Sequence, residues 1–411
     1  MQILFVHENF PGQFRHLLKA MRSPKNNIVF LTFNKKNWPE IEGIRTIEVQ
    51  APNQKERYKS RNLENYEQAI LNGEEIAKQV MLLSEKGFNP KLIIAHGGNG
   101  LASFIKEASP ESILICYQEW FFNSESLPYS NGNNKISLVD KINIAKRNQC
   151  ILTEIESADA VVVPTQWQKS KFPQAYKEKI KTIFDGVDTT FFKPDEEERR
   201  KCIELKLENN EILKVDPTDK ILTFATRGME PIRGFPEFMV AAEAALNTFS
   251  DLKVIIAGRD RQCYSYKAPN HSGSWKDFMT SELNLNRYEN RIIYTGLLTY
   301  GDYVKLLRRS DLHCAFTRPY VTSWSVFEAI ACGANICMNT CAALRETAND
   351  DKSVHWVDLD NKKELIEKIK EGLTKPRLNP KLNPDYHLEN CLRMWGELIN
   401  QMIKKIDRGD Q

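Results

Sequence analysis

The residues best placed to do chemistry follow short apolar runs and sit among glycines. Arg227 and Arg233 stand six apart in Thr226-Arg227-Gly228-Met229-Glu230-Pro231-Ile232-Arg233-Gly234. Guanidinium forks match phosphate oxygens, and a glycine-containing loop can bring both charges to one point. The plain alternative is a pair of solvated surface arginines. A second anion site is expected where Thr322-Ser323-Trp324-Ser325 opens a short helix, because its first N–H groups have no partner inside the helix. Gly333 should close that helix. Ser325-x-x-Glu328 has the spacing of a capping box, with the Glu328 carboxylate folded back on the Ser325 amide.

The first half of the chain offers polar residues of another kind. His96-Gly97-Gly98-Asn99-Gly100 follows one apolar run, and its glycines would allow a substrate to approach closely. His96 is either a cleft residue or a satisfied structural histidine in a tight turn. Tyr117-Gln118-Glu119-Trp120 follows the next run. Rings flanking an acid suit a sugar, stacking on its C–H faces while the carboxylate accepts from hydroxyls; a buried aromatic rim with a solvated acid reads the same way. His7-Glu8-Asn9-Phe10-Pro11-Gly12-Gln13 follows the first run of all, and Gly12 would bring backbone near a ligand beside a helix start.

Such residues need strand ends to hold them. The runs Ile3–Val6, Ile28–Phe33, Leu92–Ala95, Ile113–Cys116, Ala160–Val163 and Ile180–Phe184 occupy the first half. Ile221–Ala225, Val254–Ala257, Ile292–Thr295, Leu312–Phe316 and Asn335–Met338 occupy the second. Their shortness and lack of alternation predict parallel strands covered on both faces. Helix-period segments lie between them, as with Phe14, Leu17, Leu18 and Met21. The alternation predicts an α/β protein with two doubly wound domains and ligands beyond the carboxyl ends of the strands. The expected boundaries are 1–185, 186–385, and 386–411 for a last helix that caps the second domain or crosses back to the first. Pro376, Pro380 and Pro384 fall every fourth residue before that helix, a pattern no helix interior tolerates.

Composition narrows the class. Of 411 residues, 41% are hydrophobic and 27% charged, enough to build a core in each half. A net charge of +3, spread along the chain, argues against nucleic acid. Cys332, Cys337 and Cys341 lack a CxxC pair and a nearby histidine ligand, so buried thiols are expected rather than a metal site. No secretory signal or membrane-length apolar run is visible, and a reducing, cytoplasmic setting follows.

Together these segments resemble the family 4 glycosyltransferases, retaining enzymes with the two-domain GT-B fold, and a bacterial subgroup with Arg-Gly-Met-Glu-Pro and Ser-Trp-Ser patterns. The resemblance runs through Ile3–Gly12, Asp159–Val163, Trp167, Phe172-Pro173, Asp185-Gly186-Val187-Asp188, Arg227–Gly234, Gly296-Leu297 and Ser323–Gly333. It implies two Rossmann-like domains facing across a cleft, hinged near Asp185–Pro194. It also implies transfer of a hexose from a nucleotide-diphosphate sugar to a hydroxyl of a glycan, lipid-linked or small-molecule acceptor, as in polysaccharide biosynthesis. By that resemblance Arg227 and Arg233 hold the donor diphosphate, with arginine replacing the more usual lysine at the second position. Glu328 binds the ribose; Gly12, Gly296, Ser323, Trp324 and Ser325 complete the donor site; and His96 stands near the transferred sugar. The first acid of the family's Glu-x7-Glu motif falls at Tyr320 and is missing. Glu8, Tyr117, Glu119 and Trp120 are the acceptor-side candidates. No metal or other cofactor is implied, because arginines and helix N–H groups meet the leaving charge. A peripheral membrane contact fits the same partners.

Two rivals share these residues: a GT-B-fold nucleotide-sugar epimerase, which would act on donor alone, and a non-catalytic nucleotide-sugar-binding protein, to which the missing acid lends weight. A dinucleotide-dependent dehydrogenase lacks its GxGxxG.

Overall fold

The computed structural model describes residues 1–35, 38–52, 63–132, 135–269, 273–348 and 351–407. The chain divides into two compact units. The first comprises residues 1–124, 137–186 and 388–411; the second comprises 125–136 and 187–387.

The first unit is built on seven parallel strands. They are β1 (Gln2–Val6), β2 (Asn27–Thr32), β3 (Ile44–Glu48), β4 (Leu92–His96), β5 (Ile113–Tyr117), β6 (Ala160–Val163) and β7 (Ile180–Thr182), in the order β3-β2-β1-β4-β5-β6-β7. Leu4, Val6, Ile93, Leu114 and Val161 pack under Ile76, Val80 and Leu83 of the Glu64–Glu85 helix and under Ile151 and Ile155 of the Leu138–Ser157 helix. Full burial of each such side chain contributes about 1.5–3 kcal/mol. The last helix, Leu388–Asp407, packs on the Arg15–Met21 helix within this unit and buries Trp395, Leu398 and Ile399.

The second unit opens with an antiparallel hairpin, β8 (Ile203–Lys206) and β9 (Ile212–Val215). Its parallel sheet then uses β10 (Lys220–Ala225), β11 (Leu252–Ala257), β12 (Ile292–Gly296), β13 (Leu312–Ala315), β14 (Ile336–Asn339) and β15 (His355–Val357), in the order β12-β11-β10-β13-β14-β15. The expected first strand near Ile221 is thus preceded by a hairpin, whose buried Ile203 and Leu205 alternate with exposed Glu204 and Lys206. Phe224, Phe235, Phe238 and Phe316 form the aromatic centre of this core. Cys332 and Cys337 are buried thiols.

Both sheets have the doubly wound order, and in each the chain reverses direction across the sheet at one point: between β1 and β4, and between β10 and β13. Those reversals open crevices at the carboxyl ends of the strands. Register decides what stands there. Val6 pairs with Ala95, so His7 and His96 are neighbours, and His96 pairs with Tyr117. Leu222 and Phe224 pair with Leu312 and Cys314, so the loops after β10 and β13 emerge side by side.

Candidate active site

In the second unit, the loop after β10 is tied down by Glu230. Its fully buried carboxylate accepts the N–H groups of Cys263, Tyr264 and Ser265 at 3.0, 2.8 and 2.8 Å. Ser265 Oγ in return accepts the Ile232 N–H, and Arg261 donates to the Arg227 carbonyl. Gly234 takes φ +66°, and a Cβ there would press on Phe316, so this turn needs glycine before the Phe235–Thr248 helix can start.

This bracing aims the two arginines. Arg233 lies on the single turn Pro231–Arg233 with its side chain inside the protein, only 7% exposed. It donates to the Val321 carbonyl at 2.8 Å and to Thr317 Oγ1 at 3.3 Å. Arg227 is exposed and donates to the Tyr264 hydroxyl at 3.1 Å. Both guanidinium carbons lie 5.9 Å from the Tyr264 ring, and Tyr320, tilted against Tyr264 at 5.2 Å, lies 6.0 Å from the Arg233 guanidinium. The two charges therefore share one tyrosine, with the Tyr320 ring beside it. Among the described residues no carboxylate forms an ion pair with either arginine. Burial pulls Arg233 below the usual guanidinium range, yet a guanidinium stays charged at neutral pH.

The Trp324–Ala331 helix follows β13. Its N-cap is Ser323, without a side-chain cap, and the Ser323 and Ser325 hydroxyls face each other at 2.8 Å. The expected capping box is absent. Ser325 sits inside the first turn rather than at the cap, so it cannot form the N-cap to N3 box with Glu328 three residues on. Glu328 is instead half-buried near Tyr303, and burial pushes its carboxyl up to about 8. Trp324 is exposed, and Gly333 ends the helix at φ +67°. Gly296 does not stand open for a donor. Its space is filled by Glu208 of the hairpin turn, which accepts the Leu297 N–H at 3.0 Å and pairs with Arg259.

In the first unit, the His7 and His96 rings pack at a tilt of 52° with centroids 4.4 Å apart. The Asn9 N–H donates to His7 Nδ1, so His7 Nε2 carries the proton and donates to Gln13 Oε1. Gln13 passes the chain on to Glu119 at 2.7 Å, and Glu119 Oε2 lies 3.9 Å from His96 Nε2. His96 Nε2 is buried and has no hydrogen-bond partner among the described residues. Burial lowers His7 to about 3, helped by the neighbouring His96, and lowers His96 to about 4, so both imidazoles are neutral at pH 7.

The His96–Gly100 loop is held from below by Glu154. This buried carboxylate accepts Gly98 N–H at 2.6 Å, Gln118 Nε2 at 2.8 Å and Ala102 N–H at 3.3 Å, while burial raises its pKa. The glycines divide their roles. A Cβ at Gly97 would strike Gln118 and one at Gly100 would strike the Ala69 carbonyl, so these two serve packing. Gly98 alone has open space around it. Gly12, too, serves the protein rather than a ligand: at φ +54° its missing Cβ leaves room for the His7 ring.

The expected stacking platform is corrected as well. Tyr117 is buried, with its hydroxyl donating to Asp185 at 2.6 Å, and Trp120 is buried beside Trp167. Sheet neighbours and Phe14 leave Tyr117 no open ring face. Glu8 and Glu119 remain accessible. Glu8 accepts from Asn99 at 3.0 Å and lines a cavity of about 230 Å³ with Tyr66, Asn72, Asn99, Phe122 and Arg147. Arg147 lies flat on Phe122, 3.6 Å from its ring centre. Glu154, Glu230, Gln13, Tyr264 and Arg147 carry no signal in sequence spacing, since each works through a partner far away along the chain.

Residues 24–192, less than half of the chain, match the model of the glycosyl transferase family 4 group. No curated protein matches the sequence. Solved structures resemble it over nearly its whole length. Sucrose-phosphate synthase from Thermosynechococcus elongatus is 14% identical with a TM-score of 0.67, covering 98% of this chain and 99% of that one. HepE from Anabaena, solved with UDP-glucose, is 15% identical with a TM-score of 0.61, covering 99% and 100%. A UDP-forming α,α-trehalose-phosphate synthase from Burkholderia xenovorans is 11% identical with a TM-score of 0.64, covering 99% of each. The chain thus has the fold of the GT-B glycosyltransferases, two parallel-sheet α/β domains, and its residues 24–192 match the family 4 model within it.

Proposed function

We propose that the chain is a retaining glycosyltransferase that moves a sugar from a nucleotide-diphosphate sugar to a hydroxyl of a carbohydrate or lipid-linked acceptor, without a metal ion. The observation that carries this reading is the buried Arg233 cation, which forms no ion pair among the described residues and which shares Tyr264 with Arg227. Glu230 favours the Arg233 charge from a distance but is committed to the Cys263, Tyr264 and Ser265 N–H groups, so an anion bound at Arg233 would offset more of its desolvation cost, several kcal/mol for a buried ion. A diphosphate fits: one fork from each arginine, with the N–H groups of the Trp324–Ala331 helix start nearby in the chain. The HepE complex and the UDP-forming synthase make UDP-sugars the first donors to test.

The chemistry follows from charge. Breaking the bond between sugar and diphosphate develops positive charge on the ring and negative charge on the leaving phosphate. Two fixed guanidinium groups stabilise the latter most where it is largest, in the transition state. The acceptor hydroxyl attacks the anomeric carbon from the leaving-group side, and the departing phosphate takes its proton. His96, neutral and with Nε2 uncommitted, orients a sugar hydroxyl; Glu328 binds ribose hydroxyls. The polar cavity at Glu8, Asn99 and Arg147 takes the acceptor ring. It is smaller than the ~300–1,000 Å³ of drug-sized ligand pockets, which suits a single sugar unit. Nine cysteines, none in a disulfide, support a reducing, cytoplasmic location.

A thermal-shift series with UDP-, GDP- and ADP-sugars tests the donor, since a ligand bound only to the native state raises melting by mass action. One nucleotide class should stand out. Turnover should then survive EDTA, and the product should keep the donor's anomeric configuration. An inverted product, or a strict need for Mg²⁺ or Mn²⁺, would contradict the proposed mechanism; release of an epimerised sugar from donor alone would favour the epimerase.

A further inference from the structure

The Leu138–Ser157 helix carries two apolar faces, and the core uses only one. It starts at a capping box: the Ser137 hydroxyl accepts the Asp140 N–H while Asp140 accepts the Ser137 N–H. Such a start fixes the first turn without tertiary packing. Cys150, Ile151 and Ile155 then face the core of the first unit. Ile142 lies nine residues before Ile151, half a turn out of phase, and so points the other way. Leu138, Ile142 and Ala145 repeat at i, i+4 and i+7 on that outer face, with Val139 beside them.

These side chains are bare: Leu138 is 73% exposed, Val139 63% and Ile142 44%. Scattered exposed aliphatics need no explanation, but three branched ones within five residues of one helix form a patch. Lys141 and Lys146 lie along the same face, and neither forms an ion pair among the described residues. Asp140, which precedes Lys141 in the chain, is spent on the cap. An apolar stripe edged by free lysines matches the interface of an anionic bilayer, where the aliphatics enter the acyl boundary and the ammonium groups meet headgroup phosphates. A second copy of the chain fits worse, because a twofold pairing of this face would set lysines against lysines.

We infer that the outer face of Leu138–Lys146 docks the protein reversibly on an anionic phospholipid surface. The same helix contributes Arg147 and Cys150 to the polar cavity beside Glu8. Nine residues separate Leu138 from Arg147, about 14 Å along the helix. Docking would hold that cavity near the headgroup layer, where an acceptor anchored in lipid presents its sugar.

The test is co-sedimentation of the full chain with phosphatidylcholine vesicles, with or without about one part in three phosphatidylglycerol. Wild type should bind the acidic vesicles and lose binding at high salt. A Leu138→Ser, Val139→Ser, Ile142→Ser variant should bind about tenfold less, while Lys141→Glu with Lys146→Glu should remove the preference for acidic lipid. Melting temperatures of both variants should match wild type, because the altered side chains are exposed or, at Lys146, only partly covered. Failure of wild type to bind acidic vesicles, equal binding by the serine variant, or a wild-type dimer in sedimentation velocity that the serine variant abolishes would each overturn the inference. No nucleotide enters the assay, so this outcome is independent of the sugar-transfer reading.

Discussion

The two units place opposite chemistry at equivalent points of the same topology. At the reversal of the first sheet stand two imidazoles that burial holds neutral, His7 and His96, linked through Gln13 to Glu119. At the reversal of the second stand two guanidinium groups, the exposed Arg227 and the enclosed Arg233, whose charge burial cannot remove at neutral pH. The lesson is one of ordinary pKa values: desolvation moves a histidine across neutrality, whereas an arginine starts too high to be neutralised. One crevice therefore suits neutral hydroxyls and the other suits an anion. In each case the loop is braced from beneath by a buried carboxylate receiving backbone N–H groups, Glu154 in the first unit and Glu230 in the second.

The largest expected effect falls on the charged crevice. Arg233→Ala should lower turnover by about 10²–10³-fold, and Arg227→Ala by about 10²-fold, the scale for removing a transition-state charge stabiliser. Arg233→Lys should be milder, since it keeps charge and loses the fork. Wild-type turnover in both alanine variants would reduce the comparison to surface arginines.

Next comes the brace of the neutral crevice. Glu154→Leu leaves the Gly98 and Ala102 N–H groups without their acceptor and should cost about 2–4 kcal/mol in chemical denaturation. Glu154→Gln keeps one carbonyl oxygen and should cost less. A loss of similar size in both would mean that volume, rather than the N–H groups, sets the loop.

The smallest effect is a pH dependence at Glu328. Its folded pKa, about 8, stands above the unfolded carboxylate value, so the native state binds the extra proton. That contribution to stability is fully present below the unfolded pKa and is lost as pH rises through the folded one. Glu328→Gln removes it, so the variant should match wild type near pH 4 and exceed it at pH 9, by about 1–3 kcal/mol after allowance for partial exposure. Parallel stability curves for the two proteins would place Glu328 in water.

The sheets were largely legible in the sequence because their central strands are buried on both faces and read as unbroken apolar runs. The edge strands β7 and β12 were read as well, but other marginal strands were not. Ile44–Glu48 interrupts its aliphatics with Arg45 and Glu48, the Ile203–Lys206 hairpin strand alternates, and His355–Val357 is three residues long. At the site, the strand-end positions of Arg227 and His96 could be read from apolar runs and glycines. The bracing carboxylates could not, because Glu154 and Glu230 look in sequence like any solvated acid until distant N–H groups close around them. The glycines misled for a related reason: at Gly12, Gly97, Gly100 and Gly296 the space saved is taken by the protein's own His7, Gln118, Ala69 and Glu208.

The central claim is that Arg233 is a buried cation awaiting a donor diphosphate, and calorimetric titration with UDP-glucose, or with whichever nucleotide sugar the thermal-shift series selects, tests it most directly. Wild type should bind, and Arg233→Ala should bind about tenfold to a hundredfold more weakly with its fold intact by melting curve, the range for losing a hydrogen-bonded charge. Equal affinity in the two proteins would contradict the account and move the diphosphate away from Arg233.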